Sequence, residues 1–291
     1  MLSRAKYGVD KFVDADGYRL HYVEVGTGKP VLMIPGSFST YRAWDRLVPR
    51  LCDAYRLLPL DYLGTGDSDK PKSVFSYTIE AQTEIFAKMV TTLGLAPVHV
   101  VGASYGGVIA MSLGYRHPEL VDRVVSIEGA IVKPEILPTS GMAVMFRYPV
   151  IGDLFIQLIR TRLLNRQAMR LITGKWYAQM TPLDKRELLE QLSYNSRSAT
   201  RRAWYGIEVT SGLSRNMEAE ARSLRAPTLY IYGTASEDFL PMVRQNLPFF
   251  EKYLPSVKVA VLQDGIHDSA FQKPDEVARL IREFLAEGAK T

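Results

Sequence analysis

The stretch VHVVGASYGG, residues 98–107, decides the fold because it joins a buried strand directly to a helix. Its β-branched valines predict a short strand with both faces covered, and the apolar residues that follow it recur at helical spacing. Gly102 and Gly106 flank Ser104 in the pattern G-x-S-x-G, in which small residues let strand and helix approach each other. We therefore predict a strained strand-to-helix turn that holds Ser104 out of the backbone.

Ser104 has two interpretations at this position. In one, the serine only caps the helix at a tight turn. In the other it is a nucleophile, because the free N–H groups and the positive end of the helix dipole favour negative charge beside its oxygen. A serine hydroxyl is a poor nucleophile alone, so the second interpretation requires a base and a group that orients the base.

Composition predicts one globular domain with an insertion. The chain has 291 residues, of which 47% are hydrophobic and 23% charged. We find no apolar h-region and no apolar stretch long enough to cross a bilayer, so we expect a cytoplasmic protein without membrane insertion. The single cysteine, Cys52, excludes an internal disulfide. The four histidines lack metal-site spacing and nucleic-acid motifs are absent, so we expect no metal, no cofactor and no nucleic acid.

Strands alternate with helices along most of the chain, after an N-terminal hairpin at Asp16 and Gly17. This order predicts a mainly parallel sheet with helices on both faces. Between residues 133 and 225 the alternation is lost and the sequence becomes helical. We expect a core formed by residues 1–132 and 226–291, with a helical lid of residues 133–225 over the sheet edge where ligands of open α/β folds bind.

The predicted lid is basic. It has 15 Lys and Arg residues against 8 Asp and Glu, a formal charge of +7, whereas the rest of the chain carries −2. Basic helices can attract anionic substrates or a membrane surface, but arginines spaced along helices usually form a solvated face. We interpret the charge as that face.

Candidate partners for Ser104 follow predicted strands further along the chain. His267, in QDGIHDSAF, lies in a loop after a strand and is the predicted base. Three carboxylates end other strands: Glu237 and Asp238 in YIYGTASEDFLP, and Glu128 in VVSIEGA. Because neighbouring strand ends converge on one edge, either loop can reach the imidazole. We place Asp238 first, Glu128 second and Glu237 third.

Three motifs together resemble the α/β-hydrolase fold family, in its lidded serine esterase-like branch, over nearly the full length of the chain. They are GASYG at 102–106, DYLGTGDSDKP at 61–71, similar to the D-x-x-G-x-G-x-S segment of the family, and GIHDSAFQKPDEVARLIREFL at 265–285, similar to its histidine loop and last helix. The order serine, acid, histidine also matches. The resemblance implies the α/β-hydrolase fold and a catalytic triad of Ser104, Asp238 and His267.

The resemblance also implies an oxyanion hole made by the N–H groups of Ser37 and Tyr105. The segment IPGSF, residues 34–38, occupies the oxyanion loop, where the family commonly has His-Gly. Pro35 has no N–H to donate, which leaves the role to Ser37.

The position of the acid departs from the family pattern. Family members usually carry it about three residues after the glycine that ends the strand, and here Ser236 holds that place. Haloalkane dehalogenases take the acid from the position that Glu128 resembles, but they use an aspartate nucleophile where this chain has Ser104. Dehalogenation and epoxide opening through an ester intermediate are therefore disfavoured.

The expected activity is hydrolysis of carboxylic esters of small to medium apolar acyl or alkyl groups, with a small-molecule ester as the substrate. A carbon–carbon or lactone hydrolase, a weakly hydrolytic ligand-binding receptor and a cofactor-free haloperoxidase-like activity are alternatives that use the same site. The residues that we expect to line an apolar pocket under the lid are Phe38, Met142, Met145, Phe146, Phe155 and Trp176.

Overall fold

The N-terminal strands form a hairpin, as predicted. The computed structural model describes residues 6–71, 75–132, 146–161, 164–198, 200–210, 216–237 and 239–287. Strand β1 (Val9–Ala15) pairs antiparallel with β2 (Tyr18–Glu24). Asp16 and Gly17 between them have φ of 58° and 79°, which is the backbone that a two-residue type I′ hairpin turn requires.

The main sheet has six strands in the order β4-β3-β5-β6-β7-β8, and every pair in it is parallel. The chain passes from β3 outward to β4 and then returns to β5 on the other side of β3. The crevice at the carboxyl ends of β3 and β5 is therefore the switch point where open α/β sheets bind ligands. The strands are β3 (Lys29–Ile34), β4 (Tyr55–Pro59), β5 (Val98–Ala103), β6 (Val121–Ile127), β7 (Thr228–Gly233) and β8 (Val257–Leu262).

Helices cover both faces of this sheet. The described α-helices of the chain are α1 (Val48–Leu51), α2 (Ile79–Thr92), α3 (Tyr105–Arg116), α4 (Pro149–Arg160), α5 (Asn165–Thr173), α6 (Pro182–Ser198), α7 (Arg201–Thr210), α8 (Glu218–Ala221), α9 (Leu240–Tyr253), α10 (Ser269–Gln272) and α11 (Pro274–Ala286). None of the helices in the described ranges is long and apolar enough to cross a membrane.

Two apolar cores lie on opposite faces of the sheet, because side chains alternate along each strand. Val100 of β5 packs in the core beneath α2, α3 and α9, whereas its neighbour Val101 packs in the core beneath α1 and α11. Both valines are fully buried. A strand covered on both faces can accept apolar residues at every position, which explains the continuous apolar run in the sequence.

The described residues between β6 and β7 are helical, in agreement with the predicted change of pattern. Helix α6 contacts the loops that follow β3 and β4: Thr40 Oγ1 donates to Asn195 Oδ1 at 2.7 Å, and the Tyr194 hydroxyl donates to Asp67 at 3.2 Å. These helices therefore lie at the carboxyl edge of the sheet. The boundaries of the insertion at 133 and 225, and its action as a lid, stay predictions.

Candidate active site

Ser104 occupies a strained turn between β5 and α3. Its φ is 51° and its ψ −118°, a conformation that non-glycine residues rarely adopt. A Cβ at Gly102 would lie 2.0 Å from the Gly106 carbonyl oxygen, and one at Gly106 would lie 2.1 Å from the Ile34 oxygen. Both positions therefore require glycine, as the G-x-S-x-G pattern predicts. Within the described α3 the Ser104 side chain makes no capping hydrogen bond, so the interpretation as a helix cap is wrong.

His267 and Glu128 form an acid–base pair in which the carboxylate is buried. His267 follows β8 and Glu128 follows β6, and the distance from His267 Nδ1 to Glu128 Oε2 is 2.5 Å. Glu128 is 1% exposed, and its Oε1 accepts the Gly233 N–H at 2.8 Å while its Oε2 accepts the Ser236 hydroxyl at 2.7 Å. These donors compensate the buried carboxylate charge. An ionised carboxylate only accepts, so Nδ1 carries the proton and Nε2 is left free to take one.

Glu128, the acid that the sequence placed second, is the carboxylate described at the imidazole, and the assignment of Asp238 stays a prediction. Glu128 takes the position at His267 Nδ1 that the sequence analysis gives to Asp238, and Asp238 lies outside the described residues. The third candidate, Glu237, points elsewhere: it forms an exposed ion pair with Lys175 at 2.6 Å. The signal for Glu128 in the sequence was Ser236, a residue without charge at the usual place of the acid.

The loop after β3 lies against the Ser104 turn. A Cβ at Gly36 would be 3.5 Å from Ser104 Cβ, so Gly36, the residue before Ser37, lies against the serine. The Tyr62 hydroxyl donates to the Gly36 carbonyl at 3.1 Å and holds this loop. Tyr105 begins α3, where backbone N–H groups have no intrahelical acceptor. The assignment of the Ser37 and Tyr105 amides as oxyanion donors stays a prediction.

An aromatic cluster adjoins the same loop. The ring of Phe38 lies 5.0 Å from Trp204 and 5.7 Å from Phe146, and Phe146 lies 5.9 Å from Phe155. Three predicted pocket residues are thus brought together, and Trp204 joins them from α7 without having been predicted. Trp176 contacts Phe271 after β8 instead, at 6.1 Å.

The other two predicted pocket residues, Met142 and Met145, lie outside the described residues. The cluster of Phe38, Phe146, Phe155 and Trp204 is called the aromatic cluster below.

The Asp61 carboxylate stabilises the D-x-x-G-x-G-x-S loop. The buried Asp61 carboxylate accepts the backbone N–H groups of Tyr41 at 2.8 Å and Asp67 at 3.0 Å, and contacts His21 Nδ1 at 2.7 Å. Burial opposes protonation of His21, but its hydrogen bonds to Asp61 and Asp10 and the charges of Asp61 and Asp67 outweigh this effect and raise its pKa. This histidine therefore stabilises the loop.

Metal binding has no support in the described part of the chain, where no group of three or more His, Cys, Asp or Glu side chains is arranged to hold an ion. The described residues at this edge of the sheet include a serine, an imidazole and a carboxylate. Such a set can carry out acyl transfer by nucleophilic attack on a carbonyl.

Known proteins share this fold. A family model described as alpha/beta hydrolase fold matches residues 29–154. Bifunctional epoxide hydrolase 2 of Rattus norvegicus is 24% identical over 302 residues, which cover 92% of this chain and 54% of that protein, so the chain spans about half of its length. A cis-3-alkyl-4-alkyloxetan-2-one decarboxylase of Shewanella oneidensis is 27% identical over 290 residues, 95% of this chain and 88% of that protein.

A solved structure agrees with the sequence matches. The enol-lactonase from Burkholderia xenovorans LB400 superposes with a TM-score of 0.74 at 21% identity, over 95% of this chain and 100% of that one. The serine turn after β5 and the histidine loop after β8 lie at the strand ends that the sequence resemblance implies. The matches support a hydrolase, and the chain has the α/β-hydrolase fold.

Proposed function

We propose that this protein is a serine hydrolase that cleaves carboxylic esters of small to medium apolar acyl or alkyl groups. The proposed triad is Ser104, His267 and Glu128, with Glu128 in place of Asp238. The observation that carries the proposal is the 2.5 Å contact between His267 Nδ1 and the buried Glu128 carboxylate, on the same sheet edge as a strained serine.

The proposed reaction begins when His267 Nε2 takes the Ser104 hydroxyl proton and the oxygen attacks the ester carbonyl. Glu128 holds the tautomer that leaves Nε2 unprotonated and stabilises the imidazolium that forms. The Ser37 and Tyr105 amides hold the oxyanion, and the loss of one such donor typically costs about 3 to 4 kcal/mol of barrier. The imidazolium then protonates the leaving alcohol, and water resolves the acyl-enzyme by the same steps in reverse.

Serine chemistry separates this chain from the epoxide hydrolases that it resembles in sequence. A serine oxygen that opens an epoxide forms an ether, which a water molecule and a general base do not cleave. A carboxylate nucleophile forms an ester, which they do cleave. Because Ser104 stands at the nucleophile turn, we do not assign the activity of those relatives to this protein.

The aromatic cluster supports an apolar substrate group. It includes Phe38, directly after Ser37, so an acyl or alkyl group held at the proposed oxyanion site would lie next to these rings. Phe146 and Trp204 of the cluster belong to the predicted lid, residues 133–225. We therefore propose that the lid helices close the pocket and set the length of the group that fits.

The test combines labelling with turnover. We expect a fluorophosphonate to label wild-type protein at Ser104, mapped by mass spectrometry, and the Ser104→Ala variant to lose both the label and turnover of p-nitrophenyl esters. A panel of esters of increasing chain length, a lactone and a diketone separates an esterase from a lactone or carbon–carbon hydrolase.

Two outcomes would contradict the proposal. One is a label on another residue, or turnover that persists in Ser104→Ala. The other is a burst of acylation without steady turnover, which would indicate the ligand-binding receptor instead.

A further inference from the structure

The loop between β7 and α9, residues 234–239, contacts both members of the acid–base pair. Ser236, which is 3% exposed, donates from its hydroxyl to Glu128 Oε2 at 2.7 Å. Phe239 lies flat against His267, with ring centroids 3.6 Å apart and an angle of 7° between the planes. This is the loop on which the sequence predicted the acid. In the described structure it contributes a hydroxyl and an aromatic face.

Ser236 fixes the direction of the carboxylate. With Gly233 N–H on Oε1 and the Ser236 hydroxyl on Oε2, both oxygens of Glu128 are held, and Oε2 is presented to His267 Nδ1. Hydrogen bonds to an ionised acceptor are about twice as strong as neutral ones, so the Ser236 hydroxyl also shares the buried negative charge. Without this donor, more of that charge would act on the imidazole.

Phe239 acts on the imidazole from its face. The His267 side chain is 21% exposed, and a flat ring on one side both blocks rotation of the imidazole and keeps water from that face. A cation over an aromatic face is attracted by the ring quadrupole, whereas a neutral ring gains less. The contact therefore favours the imidazolium that exists while His267 holds the Ser104 proton.

We propose that Ser236 and Phe239 are positioning residues, through which the β7–α9 loop holds Glu128 and His267 in the geometry for proton transfer. The proposal rests on the proposed function of Ser104, His267 and Glu128. The two residues act in opposite directions: Phe239 stabilises the charge on the imidazole, and Ser236 draws carboxylate charge away from it.

The other charged residues near His267 are unchanged in the variants that test this proposal. Asp268 is its neighbour in the chain; burial raises the Asp268 pKa, against the charges of His267 and Arg46. On the outer side of the loop Glu237 pairs with Lys175. Since Glu128, Asp268 and Arg46 are unchanged when Phe239 is replaced, a shift in the His267 titration reports on the ring itself.

The experiment titrates His267 directly by NMR on histidine-labelled full-length protein, which has only four histidines; His267→Gln assigns the signal. We expect Phe239→Leu to lower the His267 pKa by roughly half a pH unit, since leucine keeps the apolar cover and removes only the aromatic face. Phe239→Tyr should restore the wild-type value. The matched control is Phe249→Leu on α9, whose ring contacts Phe250 and Tyr253; it should leave the titration unchanged.

The second arm changes Ser236. Ser236→Ala should raise the His267 pKa and lower kcat with p-nitrophenyl esters about tenfold at constant KM, and Ser236→Thr, which keeps a hydroxyl, should recover most of the rate. Titrations that do not move in Phe239→Leu and Ser236→Ala, or that move as much in Phe249→Leu, would overturn the inference.

Fluorophosphonate labelling of Ser104 in the same samples distinguishes this failure from failure of the proposed function. If label and turnover depend on Ser104 while the titration stays unmoved, only the positioning role is lost. If labelling fails, the esterase assignment is lost whatever the titration shows.

Discussion

Replacement of Glu128 by glutamine tests whether Glu128 is the acid of the proposed triad, with the least change in the shape of the side chain. Glutamine has nearly the volume of glutamate but exchanges one carboxylate oxygen for an NH₂ group. In the structure both oxygens accept: Oε1 from Gly233 N–H, and Oε2 from Ser236 and His267. In either orientation the NH₂ group of the glutamine therefore faces another hydrogen-bond donor, at a residue that is 1% exposed in the structure.

The magnitude of the expected loss in kcat follows from the tautomer of His267. With the NH₂ group at the Oε2 position, His267 Nδ1 has to become the acceptor, and the proton moves to Nε2. An Nε2 that carries a proton cannot take one from Ser104. For a triad acid replaced by its amide, the expected loss in kcat is up to about ten-thousandfold, which corresponds to about 5 kcal/mol of barrier.

The assay compares kcat for Glu128→Gln, Asp238→Asn and Glu237→Gln on one p-nitrophenyl ester, at equal concentrations of protein shown to be folded by circular dichroism. Glu237→Gln is the matched control, because it makes the same chemical change in an ion pair at the surface and should cost less than about twofold. Asp238→Asn should also retain most of the rate. If Asp238→Asn loses the rate and Glu128→Gln keeps it, the assignment of the acid to β6 is refuted.

Three further predictions concern stability and specificity. Ser104→Gly should be more stable than Ser104→Ala by about 1 to 2 kcal/mol in urea unfolding, since only glycine adopts φ of 51° without strain; equal stabilities would exclude strain at the turn. Trp204→Ala should cost about 3 kcal/mol of unfolding free energy and shift the preferred p-nitrophenyl ester towards longer chains, because it empties part of the aromatic cluster. An unchanged chain-length profile would place the substrate elsewhere. Burial lowers the pKa of His99 to about 4, so the unfolded chain binds a proton that the folded protein does not between pH 6.5 and 4, and stability should fall as the pH falls through that window. His99→Gln should flatten this fall in urea midpoints measured at several pH values, and a slope identical to that of the wild type would contradict the reasoning.

Short-range rules explain what the sequence predicted well. Gly102 is required because a Cβ there would meet the Gly106 carbonyl oxygen, four residues further along the chain, so this constraint lies within the turn; a Cβ at Gly106 would instead meet the Ile34 oxygen of β3. The hairpin at Asp16 and Gly17 and the alternation of strands and helices depend in the same way on neighbours in sequence. The position of His267 after a sheet strand follows from that alternation.

The sequence by itself thus determined the parallel sheet, the strained turn at Ser104 and the loop that carries the histidine. Only the tertiary structure decided which carboxylate contacts the imidazole of His267. The carboxyl end of β7 lies beside that of β8, and the carboxyl end of β6 lies one strand further away. The sequence does not show which side chain at these ends points towards His267. It also decided that Trp204 joins Phe38, a contact between distant parts of the chain. Such contacts depend on the packing of whole elements, so their physical cause lies in the assembled sheet edge and not in any local pattern.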